Sequence, residues 1–351
     1  MQFIKDNVNI DFIGNRKKAY FFSLSLIALT IIMLIYRGGP NLGVDFTGGI
    51  VIQVKLDSSH SPAEIKKALV PVNLQNSIIQ QFGKKDQFEY LIRVQNPDIK
   101  AQGLEKKVQT VLAEKFGSSA EIRDFEMVGP KVGNDLREKA MFAIFFSILF
   151  IAIYISGRFE LKWLMSIIVA GSLAVVVYLG DKVGISIEWL TVVALVVTII
   201  LLWILKLKYA MGAIIALVHD VTITIGAFAL TNREISLAIV AALLTIVGYS
   251  LNDTIIVFDR IRENIKRFRK RELEETMNAS INETLSRTII TSGTTLLVVI
   301  ALFLFGGGVI HDFAFAMLVG IGVGTYSSIF VASPIILVWE GKFNRKKNTK
   351  R

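Results

Sequence analysis

Apolar residues fall in long blocks along most of this chain, broken by short charged segments, with one mixed stretch near the start. The blocks lie at 19–36, 140–157, 163–180, 189–205, 209–230, 235–258, 288–305 and 313–338. Most approach the roughly 20 residues that an α-helix needs to cross a hydrocarbon core of about 30 Å. The pattern predicts an α-helical polytopic membrane protein with about eight spans, the first of them Ala19 to Tyr36. From 41 to 136 the period changes. Segments Gly49 to Leu56, Pro62 to Leu69, Ser77 to Phe82, Phe88 to Val94, Gly103 to Phe116 and Ala120 to Met127 read as strand, helix, strand, strand, helix, strand. That order predicts a ferredoxin-like α+β domain, a split βαβ unit, between spans one and two.

Charge orients the spans. The breaks that hold Arg158 and Lys162, Lys206 and Lys208, and Arg260 to Arg271, with the tail 339–351, carry the excess base. By the positive-inside rule they are cytoplasmic. Both ends of the chain, 1–18 included, are then expected in the cytoplasm and the 41–136 domain outside it. The run 19–36 is long for a cleaved signal peptide and lacks an A-x-A-like site after it, so it is read as a retained anchor. Of 351 residues 53% are hydrophobic and none is Cys, while the three His are scattered, which leaves thiol and metal chemistry without ligands. The net charge of +10 is read through topology rather than as nucleic-acid binding. No cofactor and no hydrolase or redox site is expected: no Lys-Ser or Lys-Thr follows the Gly-rich motif, and no nucleophile elbow is present.

Intramembrane acids are functional suspects by default. Asp253 interrupts the run 235–258, sharing a helix face with Tyr249 and Val257, while Asn252 points about 100° round toward another neighbour. A proton carrier and a carboxylate locked in a salt bridge are the two readings. Arg287 opens the next span on a stripe with Thr284, Thr288, Thr291, Thr294 and Thr295, at a depth that suits an ion pair with Asp253; snorkelling to headgroups is its other reading. His219 and Asp220 lie mid-span, either as a further rung of a proton relay or as polar glue between helices. Asp312 follows Gly306, Gly307 and Gly308 at the outer mouth, as a point of proton entry or as a solvated acid. Gly320 and Gly324 make a GxxxG face for close packing. In the motif at 43–49, Gly43, Gly48 and Gly49 allow tight backbone geometry, and Asp45 and Thr47 suit a cap or turn. Arg260 to Arg271, with seven bases and one acid, reads as an amphipathic helix on lipid headgroups or as a docking surface.

An internal echo joins Leu161, Lys162, Trp163, Met165, Ile168, Ala170 and Gly180 to Leu207, Lys208, Tyr209, Met211, Ile214, Ala216 and Gly226, 46 positions later. It suggests a duplicated hairpin, although matching Ala or Ile between apolar helices is common by chance.

Six motifs carry a resemblance: GVDFTGG at 43–49, VGPKVGNDL at 128–136, ALVHDV at 216–221, YSLNDT at 249–254, FDRIREN at 258–264 and GTYSS at 324–328. In this order they resemble the SecF family, subunits of the bacterial protein translocase within the SecD/SecF group of the resistance-nodulation-division superfamily. The resemblance implies protein transport driven by the proton motive force, in company with a SecD-like subunit, beside a SecY-type channel, acting on a translocating preprotein. It also implies roles in proton movement for Asp253 and Arg287. The family pattern has six spans, so 163–206 is expected to be an inserted helical hairpin within the 140–338 bundle. A proton-driven exporter of small molecules or lipids, and a non-transporting membrane scaffold, are the alternative functions.

Overall fold

A computed structural model describes residues 9–82, 88–94, 103–117, 120–161 and 163–348. The basic tail beyond Asn348 and the Lys162 of the echo lie outside them.

The first helix, α1, runs Arg16–Arg37 and ends on Gly38 at φ 75, the left-handed conformation that closes many helices. A short helix α2 (Val44–Thr47) leads into strand β1 (Gly49–Lys55). Then come α3 (Pro62–Ala68), β2 (Ile78–Phe82), β3 (Glu89–Val94), α4 (Leu104–Phe116) and β4 (Glu121–Val128). Ser61 and Glu64 form a capping box that starts α3, with Pro62 in its first turn. The four strands pair antiparallel in the order β2-β3-β1-β4, which puts β1 in the middle, between β3 and β4. Alternation along β1 and β3 turns Ile50, Ile52, Val54, Tyr90, Ile92 and Val94 inward, where they pack with Ile65, Leu69, Val108 and Leu112 of the helical layer.

The remaining chain is helical: α5 (Pro130–Glu160), α6 (Trp163–Val183), α7 (Ile187–Ile204), α8 (Lys208–Thr231), α9 (Leu237–Arg267), α10 (Leu273–Phe305), α11 (Gly308–Ser327) and α12 (Ser333–Asn348). A π-turn over Ser328–Ala332 joins the last two, so α11 and α12 form one continuous span. Among the described residues seven helices are long and apolar enough to cross a membrane; α7 has a shorter apolar stretch, Trp189–Ile204. The basic segment at 260–271 is no separate amphipathic helix. Through Arg267 it is the last turns of α9, because nothing in Phe258 to Arg267 breaks helical periodicity.

Helix α8 is the centre of the bundle. Fifteen of its residues are buried, among them His219 and Asp220. Small residues let its neighbours in: a Cβ on Gly226 would stand 1.9 Å from Thr30 Oγ1 of α1, and one on Gly212 would stand 2.9 Å from the Ala332 carbonyl oxygen in the π-turn. The hairpin α6–α7 leaves and rejoins the bundle at one place. Phe159 at the end of α5 stacks on Tyr209 at the start of α8 with centroids 5.0 Å apart. Glu160 Oε1 accepts a hydrogen bond from the Tyr209 backbone N–H at 3.2 Å.

Candidate proton site in the helix bundle

Helix α9 brings Asp253 to the interior. Its buried residues Ile246, Ser250, Asp253 and Val257 recur at three- and four-residue spacing, and Asp253 is 1% exposed. Its Oδ2 accepts a hydrogen bond from Ser292 Oγ of α10 at 3.0 Å. Ser292 Oγ lies 2.9 Å from Thr325 Oγ1 of α11, whose single proton is shared with the Ile321 carbonyl at 2.8 Å. Asp253 Oδ1 is buried without a partner, and so is the hydroxyl of Thr288, one turn before Ser292 on α10. A buried carboxylate with one donor is poorly compensated for the water it has lost.

The expected ion pair between Asp253 and Arg287 is not formed. Arg287 is exposed, while the residue of α10 that faces Asp253 is Ser292. Five residues at 100° each separate the two by about 140° around the helix, so both cannot face α9. The stripe that turns inward is Thr284, Thr288 and Ser292. Thr294 is exposed, and Thr291 and Thr295 meet the Tyr249 hydroxyl, which donates to the Thr291 carbonyl or Thr295 Oγ1 at 3.0 Å. Asn252 is exposed on the far side of α9.

Asp220 has a different environment. Ser250 of α9 and Ser327 of α11 donate to its Oδ2 at 2.6 and 2.8 Å, and His219 Nδ1 lies 2.8 Å from its Oδ1. The chain continues from His219 Nε2 to Ser23 Oγ of α1 at 3.1 Å, then to the Tyr326 hydroxyl at 3.1 Å, which donates to the Ala19 carbonyl at 2.8 Å. Four contacts in series need four protons. Tyr326 and Ser23 supply one each, so the other two belong to the His219–Asp220 pair. The network ties α1, α8, α9 and α11 together. Of its hydroxyls, Ser23 sits in the first apolar run, while Tyr326 and Ser327 belong to the GTYSS motif together with Thr325. These three consecutive residues serve both acids, Thr325 on the Asp253 side and Ser327 on the Asp220 side.

Gly320 and Gly324 are where α11 crosses α9. A Cβ on Gly320 would stand 2.3 Å from Ile246 Cδ1, and one on Gly324 would stand 2.9 Å from Ser250 Cβ. This close approach is what brings Ser327 within reach of Asp220 beside Ser250.

The 43–49 motif holds the domain end of the bundle. Gly43 N–H donates to the Ile235 carbonyl at 2.9 Å and Ile235 N–H to the Asn41 carbonyl at 2.8 Å. Asp45 Oδ2 accepts from the Leu237 N–H at 2.8 Å, a carboxylate at the N-terminus of α9 where the helix dipole favours it. Phe46 is buried with Phe228, Ile239 and Leu243. Gly48, at φ 74, lies so close to Pro130 that a Cβ would stand 2.9 Å from its Cα. Gly49, at φ 139, starts β1. Asp312 is in the first turns of α11, paired with Arg233, which also meets His311 Nδ1 at 3.2 Å. At the opposite end, Asp259 pairs with Arg158 at 2.7 Å, and the Asn264 side chain, 1% exposed, donates to Ser280 Oγ and Glu283 Oε2 at 3.0 Å.

The profile of the protein export membrane protein SecD/SecF C-terminal region matches residues 107–200 and 174–342, and that of the SecD/SecF GG motif matches 37–59. The protein translocase subunit SecF of Magnetococcus marinus is 40% identical over 353 residues, an alignment that covers 99% of this chain and 97% of that protein. The chain belongs to the SecF family. The SecF subunit of Vibrio alginolyticus is likewise 40% identical, over 96% of this chain and 91% of its own length. The crystal structure of SecDF, a translocon-associated membrane protein from Thermus thermophilus, aligns with a TM-score of 0.71 at 30% identity. It covers 95% of this chain, and this chain spans 39% of it. This is therefore a multi-pass membrane protein of the Sec translocase, an accessory subunit whose relatives work with a SecD-like partner. The two profile matches overlap at 174–200, inside α6–α7.

Proposed function

We propose that this chain, with a SecD-like subunit, couples the proton motive force to preprotein translocation beside a SecY-type channel, and that Asp253 is the group that exchanges the proton. The environment of Asp253 carries the assignment: a buried carboxyl with one hydroxyl donor and one unpartnered oxygen. A site so balanced is sensitive to any shift of α10 or α11, because moving Ser292 by an ångström removes its only donor. Protonation and helix position are then linked, and the gradient drives the cycle. Asp220, with three partners on three side chains, holds its helices together and does not exchange.

The same reading places the four-stranded domain, as a ferredoxin-like unit, on the periplasmic face of the inner membrane and both ends of the chain in the cytoplasm. It counts α6 and α7 as two further spans inserted between α5 and α8. The meeting of Phe159, Glu160 and Tyr209 supports an insertion, since α5 and α8 already touch where the hairpin departs.

The test is Asp253→Asn in the assembled complex. The amide keeps the volume and cannot cycle a proton. Preprotein import into membrane vesicles is expected to lose the part that depends on the proton gradient, at unchanged abundance of the complex. Full gradient-dependent import by the Asn variant would overturn the assignment.

A further inference from the structure

The four-stranded domain is joined to the bundle covalently at one corner. Chain enters β1 at Gly49 and leaves β4 at Val128, and these two residues are paired across the sheet. Both connections therefore reach the bundle side by side, at Gly48 and at Gly129, next to the start of α5. A body attached at one corner swings about it unless something off the corner holds it. Such a contact exists one strand over. Arg93 of β3, which pairs in register with Val51, reaches the turn between α8 and α9 and forms an ion pair with Glu234. Both side chains are largely buried, at 12% and 8% exposed, and Arg93 also donates to Gln80 Oε1 of β2 at 3.0 Å. Glu234 immediately precedes Ile235, whose backbone is hydrogen-bonded to Asn41 and Gly43, and stands three residues before Leu237, the first residue of α9.

We infer that Arg93 and Glu234 are a positioning pair, a catch that fixes the orientation of the extramembrane domain on α9 and must open and close during each translocation cycle. The proposal rests on the reading of Asp253, since α9 is the helix that carries both the exchanging acid and the catch. A displacement of α9 on protonation would pull Glu234 away from a sheet whose other ties to the bundle, among the described residues, gather at its Gly49–Val128 corner, through the 41–48 segment and α5. Burial makes the pair a two-state contact: separated in place, each charge would be left uncompensated, so the domain must move to rehydrate both.

The sequence has no cysteine, so an Arg93→Cys, Glu234→Cys double variant carries the only two thiols in the chain. In the assembled complex these are bridged by a reducible alkyl bis-methanethiosulfonate, whose spacer replaces the two long side chains, and import into vesicles is measured before and after reduction. The expected result is that bridging lowers import to the level seen without a proton gradient, that reduction restores it, and that each single Cys variant is insensitive to the reagent. Equal gradient-dependent import in the bridged and reduced forms would overturn the catch. If the reduced double variant is itself inactive, the charge-reversed Arg93→Glu, Glu234→Arg protein decides: recovered import supports the pair, and inactivity beside normal abundance refutes it. Loss of gradient dependence in the unmodified protein would instead refute the reading of Asp253, which keeps the two failures apart.

Discussion

Two buried aspartates in one bundle differ by the donors around them, and that difference separates their roles. Asp253 has Ser292 alone, and Asp220 has Ser250, Ser327 and His219. Ser292→Ala strips Asp253 of its donor, a loss of about 1–3 kcal/mol to whichever state uses it. Gradient-dependent import is expected to fall, and the Ser292→Ala, Asp253→Asn double variant to be no worse than Asp253→Asn by itself. A double variant clearly worse than either single would show Ser292 acting elsewhere. Asp220→Asn should instead lower the melting temperature of the purified protein, because an amide cannot accept from two serines and the imidazole as a carboxylate does; each weakened charge-assisted bond costs on the order of 1.5–3 kcal/mol. An unchanged melting temperature would remove the anchoring role.

Helices in this bundle approach closely because glycine or another small residue stands at their crossings. Gly320→Val would drive a branched side chain into Ile246, which already lies 2.3 Å from the position of a Cβ. Overpacking of this kind costs roughly 1–3 kcal/mol, and the α9–α11 crossing carries both Ser250 and Ser327, so thermal stability and import are both expected to drop. The inserted hairpin is the opposite case. Since α5 and α8 touch at Phe159, Glu160 and Tyr209, a chain lacking 163–206 with a short Gly-Ser joint should insert and purify as one species. Its degradation in the membrane would show that α6–α7 is integral to the bundle. If the hairpin is two spans, tags near Asp181 and near Lys208 should report opposite sides of the membrane.

For the molecule as a whole, the junction of domain and bundle is where pH should be felt. Burial raises the Glu234 carboxyl above the ordinary glutamate value, against the attraction of Arg93, with Asp312 and Asp45 raising it further. Burial likewise lowers the Arg93 guanidinium, against Glu234 and Asp312. The sign follows. A carboxyl whose folded value is raised contributes most to stability below its unfolded value and loses that contribution as pH rises through the folded one. Acidification across the window above the ordinary glutamate range therefore protonates Glu234 in the folded protein, weakening the catch without unfolding the chain. Spin labels on β2 and on α8 should show a broader distance distribution as pH falls through that window. Glu234→Gln should be broad at every pH; a distribution independent of pH in the unsubstituted protein would refute the linkage.

Sequence by itself determined what local periodicity determines. The apolar helices of the bundle, the strand at Gly49, the helices at Pro62 and Leu104 and the end of α1 at Gly38 follow from apolar spacing, capping residues and glycines, which act within a few residues. Asp253 was also legible, since a carboxylate in an apolar run needs no neighbour to be conspicuous. Its partner was not. Depth along two helices pointed to Arg287, but rotation about α10 decides which side chain faces α9, and that angle is set by how α10 packs against both α9 and α11. Ser23 and Ser292 were silent for the same reason: a lone hydroxyl in a hydrophobic helix has no local signature, and its role exists only once another helix supplies an acid or an imidazole. Arg93 and Glu234 lie 141 residues apart, in a strand and a turn whose own patterns are satisfied without each other. Only the tertiary fold, by placing β3 over the turn before α9, makes them a pair.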